Sequence, residues 1–293
     1  MKSFYCLLLC LPSCAWGAQP FIVARALSPG EVVSVWVTVA AGAPPPQGTL
    51  DGKELSFFPL SETRFVGLAG FDLDDEAGVR REFVVDYRDR YGVDRRWRKT
   101  IVLEAKKFPV NELDVDAAYV DLSVRDAARA EDEAKLLGDI YSRHTRKSCI
   151  DGNFALPVKT AITARFGSRR VFNGVPKAPH AGIDLRARTG DPVYSPACGE
   201  VVLTGELFYT GKTVVIDHGF GLYSIFGHLS RVGVAMGQTV SKRTMLGRAG
   251  ATGRATGPHV HWSVKYQQAR VDPESLLAID LGMGSQDNGY SGR

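Results

Sequence analysis

The sequence predicts an all-β chain of two units joined by one helix. Three observations carry that expectation. β-branched and aromatic segments alternate with turn residues from Phe21 to about Ala105, and the pattern returns from Phe154 onward. One stretch between them, Ser123 to about Ser142, places its apolar residues at helical spacing. The 293 residues amount to two domains at the usual ~150 residues each.

Composition narrows the class. Hydrophobic residues make up 44% and charged residues 23%, which excludes disorder as the dominant state. Lys and Arg number 36 against 32 Asp and Glu, a net charge of +4. So small a charge, with no dense basic run, argues against nucleic acid as a partner.

The N-terminus sets the expected compartment. Lys2 precedes a short apolar run from Phe4 to Leu11, followed by Pro12, Ser13 and small residues. A transmembrane helix needs ~20 apolar residues, so this run is too short to span. It reads as a secretory signal over residues 1–17, cleaved after Gly17 with Ala15 at the −3 position. The mature chain is then expected in the periplasm or cell envelope, without a transmembrane segment. Leu11-Pro12-Ser13-Cys14 matches a bacterial lipobox poorly because of Pro12, so a lipid anchor at Cys14 is the alternative. Cys6, Cys10 and Cys14 leave with the signal. Cys149 and Cys198 remain, either paired or as two thiols.

In the first unit, residues 21–105, Val32–Val39 alternates and is rich in β-branched residues. Glu54–Leu60, Arg64–Phe71, Glu82–Asp89 and Trp97–Glu104 follow, with turns at Pro44–Gly48, Asp51-Gly52, Asp74–Gly78 and Tyr91-Gly92. Short strands at this spacing predict an antiparallel, immunoglobulin-like β-sandwich. It holds no His and no Cys, so binding, spacing or shielding is its expected work.

A helical connector is expected over residues 116–148. Ser123-Val124-Arg125-Asp126 has the form of a capping box. Ala127, Ala130, Ala134, Leu137 and Tyr141 form the expected apolar face.

The second unit, residues 154–275, is again all β. Strands are expected at Ile162–Phe166, Asp191–Tyr194, Gly199–Thr204, Thr213–His218, Tyr223–Phe226, Met245–Ala249 and Val260–Lys265. The Gly-, Ser- and Asn-rich tail, residues 282–293, is expected to be disordered.

Every histidine except His144 falls in this second unit. His259 and His261 flank Val260 on one strand, so their side chains share a face ~6.6 Å apart. His180 and Asp184 would stand ~13 Å apart on extended chain, and Gly182 offers a bend to bring them together. Two histidines and one carboxylate from these four residues make a zinc site with a position left for water. His218 lies in the turn Asp217-His218-Gly219-Phe220-Gly221 and reads as structural, while His144 is expected on the surface. Gly-Lys-Thr at 211–213 fails as a phosphate loop, since Val214-Val215-Ile216 continues as a strand where a helix is required.

The ordered motifs resemble a known family. They are Phe166-Gly167, Asn173-Gly174, His180-Ala181-Gly182-Ile183-Asp184-Leu185, Gly199-Glu200-Val201-Val202, Val215-Ile216-Asp217-His218-Gly219, Gly227-His228-Leu229-Ser230, Gly250-Ala251-Thr252-Gly253 and Gly257-Pro258-His259-Val260-His261-Trp262. Together they resemble the M23 peptidases, the lysostaphin- and LytM-type zinc endopeptidases of bacterial cell walls. The first unit, with Gly48–Lys53 and Phe57-Phe58-Pro59, is similar to a domain of some Gram-negative members.

That resemblance implies one zinc per chain on His180, Asp184 and His261, with His228 and His259 catalytic and peptidoglycan as the partner. Its departures are Lys212 where Asn is common, Phe226 where Tyr is frequent, and Cys198 where Asp is common. The expected function is export followed by hydrolysis of peptide cross-links or stems of peptidoglycan. The alternative is a non-catalytic wall-binding relative or amidase activator, against which the complete ligand set argues.

Overall fold

The computed structural model describes residues 19–113, 122–143, 145, 149–150, 152–279 and 281. The expected signal, His144 and the 282–293 tail lie outside the described residues. Among the described residues no helix is long and apolar enough to cross a membrane.

The first unit holds β1 (Phe21–Ala24), β2 (Val32–Thr38), β3 (Gln47–Leu50), β4 (Lys53–Leu55), β5 (Phe57–Pro59), β6 (Arg64–Gly70), β7 (Arg80–Arg88) and β8 (Asp94–Val102). They form two four-stranded sheets, ordered β1-β2-β6-β5 and β4-β3-β7-β8. Val33, Val35 and Val37 meet Phe65, Ala69, Phe83 and Val85 in the core between them. Glu54–Leu60, expected as one strand, is two. The chain leaves one sheet after Leu55 and joins the other at Phe57, burying both side chains in the same core. The sequence reading assigned no strand to β3, which directly follows the Pro44–Pro46 turn signals.

The sandwich shares a core with the second unit. Val32, Phe58, Val66 and Leu68 project from the β1-β2-β6-β5 sheet into one apolar cluster with Tyr266, Val271 and Leu276. β2 is thus covered on both faces, as strands between two layers are. The Tyr266 hydroxyl donates to the Leu68 carbonyl at 3.0 Å, and Ser275 Oγ accepts from Val32 N at 2.8 Å. Arg25 bridges Glu31 and Asp272, and Lys106 joins Glu31. The two sequence units therefore form one packed body.

The connecting chain is structured on both sides of residues 114–121. β9 (Val110–Leu113) runs parallel to the segment Arg169–Phe172 of the second unit. α1 (Val124–Tyr141) begins at Ser123, whose Oγ accepts from Asp126 N. Its buried end, Ile140 and Tyr141, packs on Val215, Tyr223 and Ile225. The contact face runs through Ala130, Glu133, Leu137, Ile140 and Tyr141, while Ala127 and Ala134 of the expected face are exposed.

The second unit comprises β10 (Ile162–Ala164), β11 (Arg169–Phe172), β12 (Val175–Lys177), β13 (Gly182–Arg186), β14 (Pro192–Tyr194), β15 (Gly199–Leu207), β16 (Gly211–Asp217), β17 (Leu222–Val232), β18 (Thr239–Val240), β19 (Met245–Ala249), β20 (His259–Tyr266), β21 (Ala269–Val271) and α2 (Pro273–Leu277). Its sheet runs β10-β13-β20-β17-β16-β15-β18. β11 and β12 form a hairpin around Asn173-Gly174, both at positive φ, a turn that suits the strand twist. Cys149 and Cys198, left open by the sequence, form a disulfide across 49 positions of chain.

Ile183, Leu185, Val260, Trp262, Val264 and Tyr266 all point into the core. Asp184, His259 and His261 alternate with them and face the other side. α1 covers this same side of the sheet, because Val215 and Ile225, which it touches, alternate with core-facing Val214, Ile216 and Phe226. The sandwich meets β20 at Tyr266, its last residue, on the core side, whereas His259 is its first.

Candidate metal centre and active site

Two adjacent antiparallel strands build the centre. β13 places Asp184 directly opposite His261 of β20. His261 Nδ1 lies 2.9 Å from Asp184 Oδ1. His180 precedes β13 and is fixed by its own backbone, its N donating to Ser168 O and its O accepting from Gly167 N. Its Nε2 lies 3.0 Å from Asp184 Oδ1 and 3.1 Å from His261 Nδ1.

Gly182 does not supply the expected bend. It begins β13 with φ outside the left-handed region, and its value is space. A Cβ there would stand 2.5 Å from the Trp262 carbonyl oxygen and 2.8 Å from His261 Cε1. Any side chain would push the His261 ring away from Asp184. The approach of His180 comes from where the chain enters β13.

The backbone assigns the imidazole tautomers. His180 Nδ1 lies 3.1 Å from the Arg165 carbonyl, which can only accept, so that nitrogen carries the proton. Neutral His180 then presents an Nε2 lone pair to the Asp184 oxygen and to His261. Acceptors this close need a shared proton or a cation between them. His180, Asp184 and His261 offer ligand atoms all within 4.8 Å of one another. Two imidazole nitrogens and one carboxylate oxygen fit zinc in type and number, and three protein ligands leave a coordination position. The carbonyl behind His180 is the outer partner that orients a ligating histidine.

Asp184 stays ionised. Burial alone would raise its pKa, but the His180 and His261 imidazoles against its oxygen hold it well below the usual carboxylate range.

His228 and His259 stand beside this set, their ring centroids 4.6 Å apart. His228 Nδ1 donates to Thr252 O at 2.8 Å, and His259 Nδ1 donates to Gly257 O at 2.8 Å. Both rings therefore keep Nε2 unprotonated when neutral. His259 Nε2 is 3.7 Å from Asp184 Oδ1. Burial pushes the His228 pKa down to about 4. His228 also sits at φ 61°, a strained backbone for a non-glycine, held by its N–H to Thr210 O at 2.6 Å.

The supporting residues Thr210 and Thr252 had no role in the sequence reading. Thr252 lies in a quoted motif, and its Oγ1 accepts from Lys212 N and donates to Leu229 O, pinning the loop that positions His228. Lys212 itself turns Nζ to Ser230 O. α1 holds the adjoining hairpin, Glu133 accepting from Phe208 N and Arg129 donating to Glu206 O. His218 is remote from the centre and wholly buried, bonded to Cys198 O and Ser224 Oγ.

Fold and site define a β-sheet protein with a His-Asp-His donor set flanked by two further imidazoles. Residues 178–273 match the model of Peptidase family M23. A crystal structure of a Pseudomonas aeruginosa chain described as a peptidase M23 matches with a TM-score of 0.64 and 31% identity, covering 86% of this chain and 95% of that one. This chain belongs to peptidase family M23. Peptidoglycan DD-endopeptidase ShyA of Vibrio cholerae is 40% identical over 149 residues, 50% of this chain and 33% of ShyA. DD-carboxypeptidase/endopeptidase Mpg of Neisseria meningitidis is 36% identical over 97 residues, 33% of this chain and 22% of Mpg. The matched segments thus span a third or less of those two relatives.

Proposed function

We propose that this chain is an exported zinc-dependent endopeptidase that hydrolyses amide bonds in peptidoglycan cross-links or stems. The observation that carries this is the meeting of His180 Nε2, Asp184 Oδ1 and His261 Nδ1 within 3.1 Å beside two further imidazoles. The name of ShyA supports peptidoglycan as the substrate, and that of Mpg supports endopeptidase activity.

His180, Asp184 and His261 would hold the zinc. The chemistry zinc supplies at such a site is Lewis acidity toward an amide carbonyl and toward water. The protein's own groups do the rest. His228, kept neutral by burial and oriented by Thr252, takes the proton of the attacking water at Nε2. That proton passes on to the leaving amine. In its protonated form His259, oriented by Gly257, donates Nε2–H to the oxyanion that develops on the carbonyl.

Export rests on the residues 1–17 pattern, and the Cys149–Cys198 disulfide supports an oxidising compartment such as the periplasm. A lipid anchor at Cys14 is the alternative to soluble export. Digestion of purified peptidoglycan tests the function. The wild-type chain should release peptide fragments with new amino termini, and His180→Ala should release none. Equal release by both would refute the reading, as would none by the wild type.

A further inference from the structure

Arg186 is the last residue of β13 and stands directly opposite His259 in the strand register. It follows Asp184 by two positions, and Leu185 between them is in the core, so Asp184, Arg186 and His259 share one face. Directly opposed side chains start ~4.5–5.5 Å apart at Cβ, which puts the root of the Arg186 arm beside the His259 ring.

Arg186 is exposed, and among the described residues its guanidinium has no hydrogen-bonding or ionic partner. Three other cations of the second unit are engaged. Lys212 Nζ donates to Ser230 O, Arg248 Nη1 donates to Gly190 O, and the Arg254 guanidinium lies over the Phe208 ring. A free guanidinium offers a planar pair of donors matched to a carboxylate. It also stands next to a donor set suited to a cation, an arrangement that repels unless an anion comes between them.

We propose that Arg186 is a specificity-determining residue that pairs with a carboxylate on the substrate peptide beside the scissile amide. The site then prefers an anionic peptide to its amidated counterpart. This rests on the reading of the centre as a peptidase site. The carboxylate can be the peptide's C-terminal group or a side-chain group next to the cut bond.

Equilibrium binding separates these. The probe is a fluorescent peptidoglycan stem pentapeptide, prepared as the free acid and amidated at the C-terminus, at the side-chain carboxyl, or at both. Anisotropy titrations use the full zinc-loaded chain as wild type, Arg186→Gln and Arg186→Lys. The wild type should bind the free acid about tenfold or more tighter than the doubly amidated peptide. Arg186→Gln should bind both alike with unchanged zinc content and melting temperature, and Arg186→Lys should keep part of the preference. The single amidation that reproduces the loss identifies the carboxylate. Equal binding of all four peptides by the wild type, or a preference kept by Arg186→Gln, overturns the proposal. Peptidoglycan hydrolysis by the wild type is scored separately. Its absence counts against the peptidase reading, whereas intact hydrolysis without charge preference counts against Arg186 alone.

Discussion

The rings of His228 and His259 lie 4.6 Å apart, and each spends its Nδ1 proton on a backbone carbonyl, that of Thr252 or Gly257. Both Nε2 atoms are left for chemistry beside Asp184. Neither residue belongs to the close donor set of His180, Asp184 and His261. His228→Ala and His259→Ala should therefore lower peptidoglycan hydrolysis about 10²–10⁴-fold. Kinetics on a soluble cross-linked peptide would check this, and near-normal turnover by either variant would remove that residue from the mechanism.

The His-x-His pair was legible because strand period two puts His259 and His261 on one face and hides Val260 and Trp262 in the core. The route by which His180 reaches Asp184 was not legible. It depends on β13 pairing with β20 and on the Ser168 and Arg165 carbonyls, which come from elsewhere in the chain. The face of α1 was misplaced for a similar reason. Glu133 is drawn inward by Phe208 N on a distant hairpin, which no helical spacing rule anticipates. The shared core escaped notice because β2 alternates well enough for a two-layer sandwich, although both of its faces are covered.

That shared core predicts joint unfolding. The two units should melt in one calorimetric transition, because Leu68 and Tyr266 belong to the same cluster. Leu68→Ala should lower the stability of the whole body by about 2–5 kcal/mol. Two separate transitions, with only the first shifted by Leu68→Ala, would show the units to be independent.

Buried His218 predicts a pH dependence of stability. Burial lowers its pKa from 6.5 to about 4 in the folded chain. Between those values the unfolded chain binds a proton that the folded chain does not, so stability falls as pH falls through this window. The loss is on the order of 3 kcal/mol and ends near the folded value. Melting temperatures from pH 7 to pH 4 should fall more steeply for the wild type than for His218→Gln, and parallel slopes would contradict this.

Cys149 and Cys198 should yield no free thiol in the oxidised folded chain, since they are bonded to one another. Cys198→Ser should cost about 2–5 kcal/mol by freeing the 49-position loop in the unfolded state. Thiol titration and denaturant unfolding would measure both. Two reactive thiols in oxidised protein would refute the pairing.

Zinc stoichiometry across the five site variants tests the central claim most directly. Purified wild-type chain should hold one zinc, and so should His228→Ala and His259→Ala. His180→Ala, Asp184→Ala and His261→Ala should hold close to none while remaining folded by circular dichroism. Full zinc in His261→Ala, or its loss in His259→Ala alone, would contradict the assignment of ligands and catalytic residues.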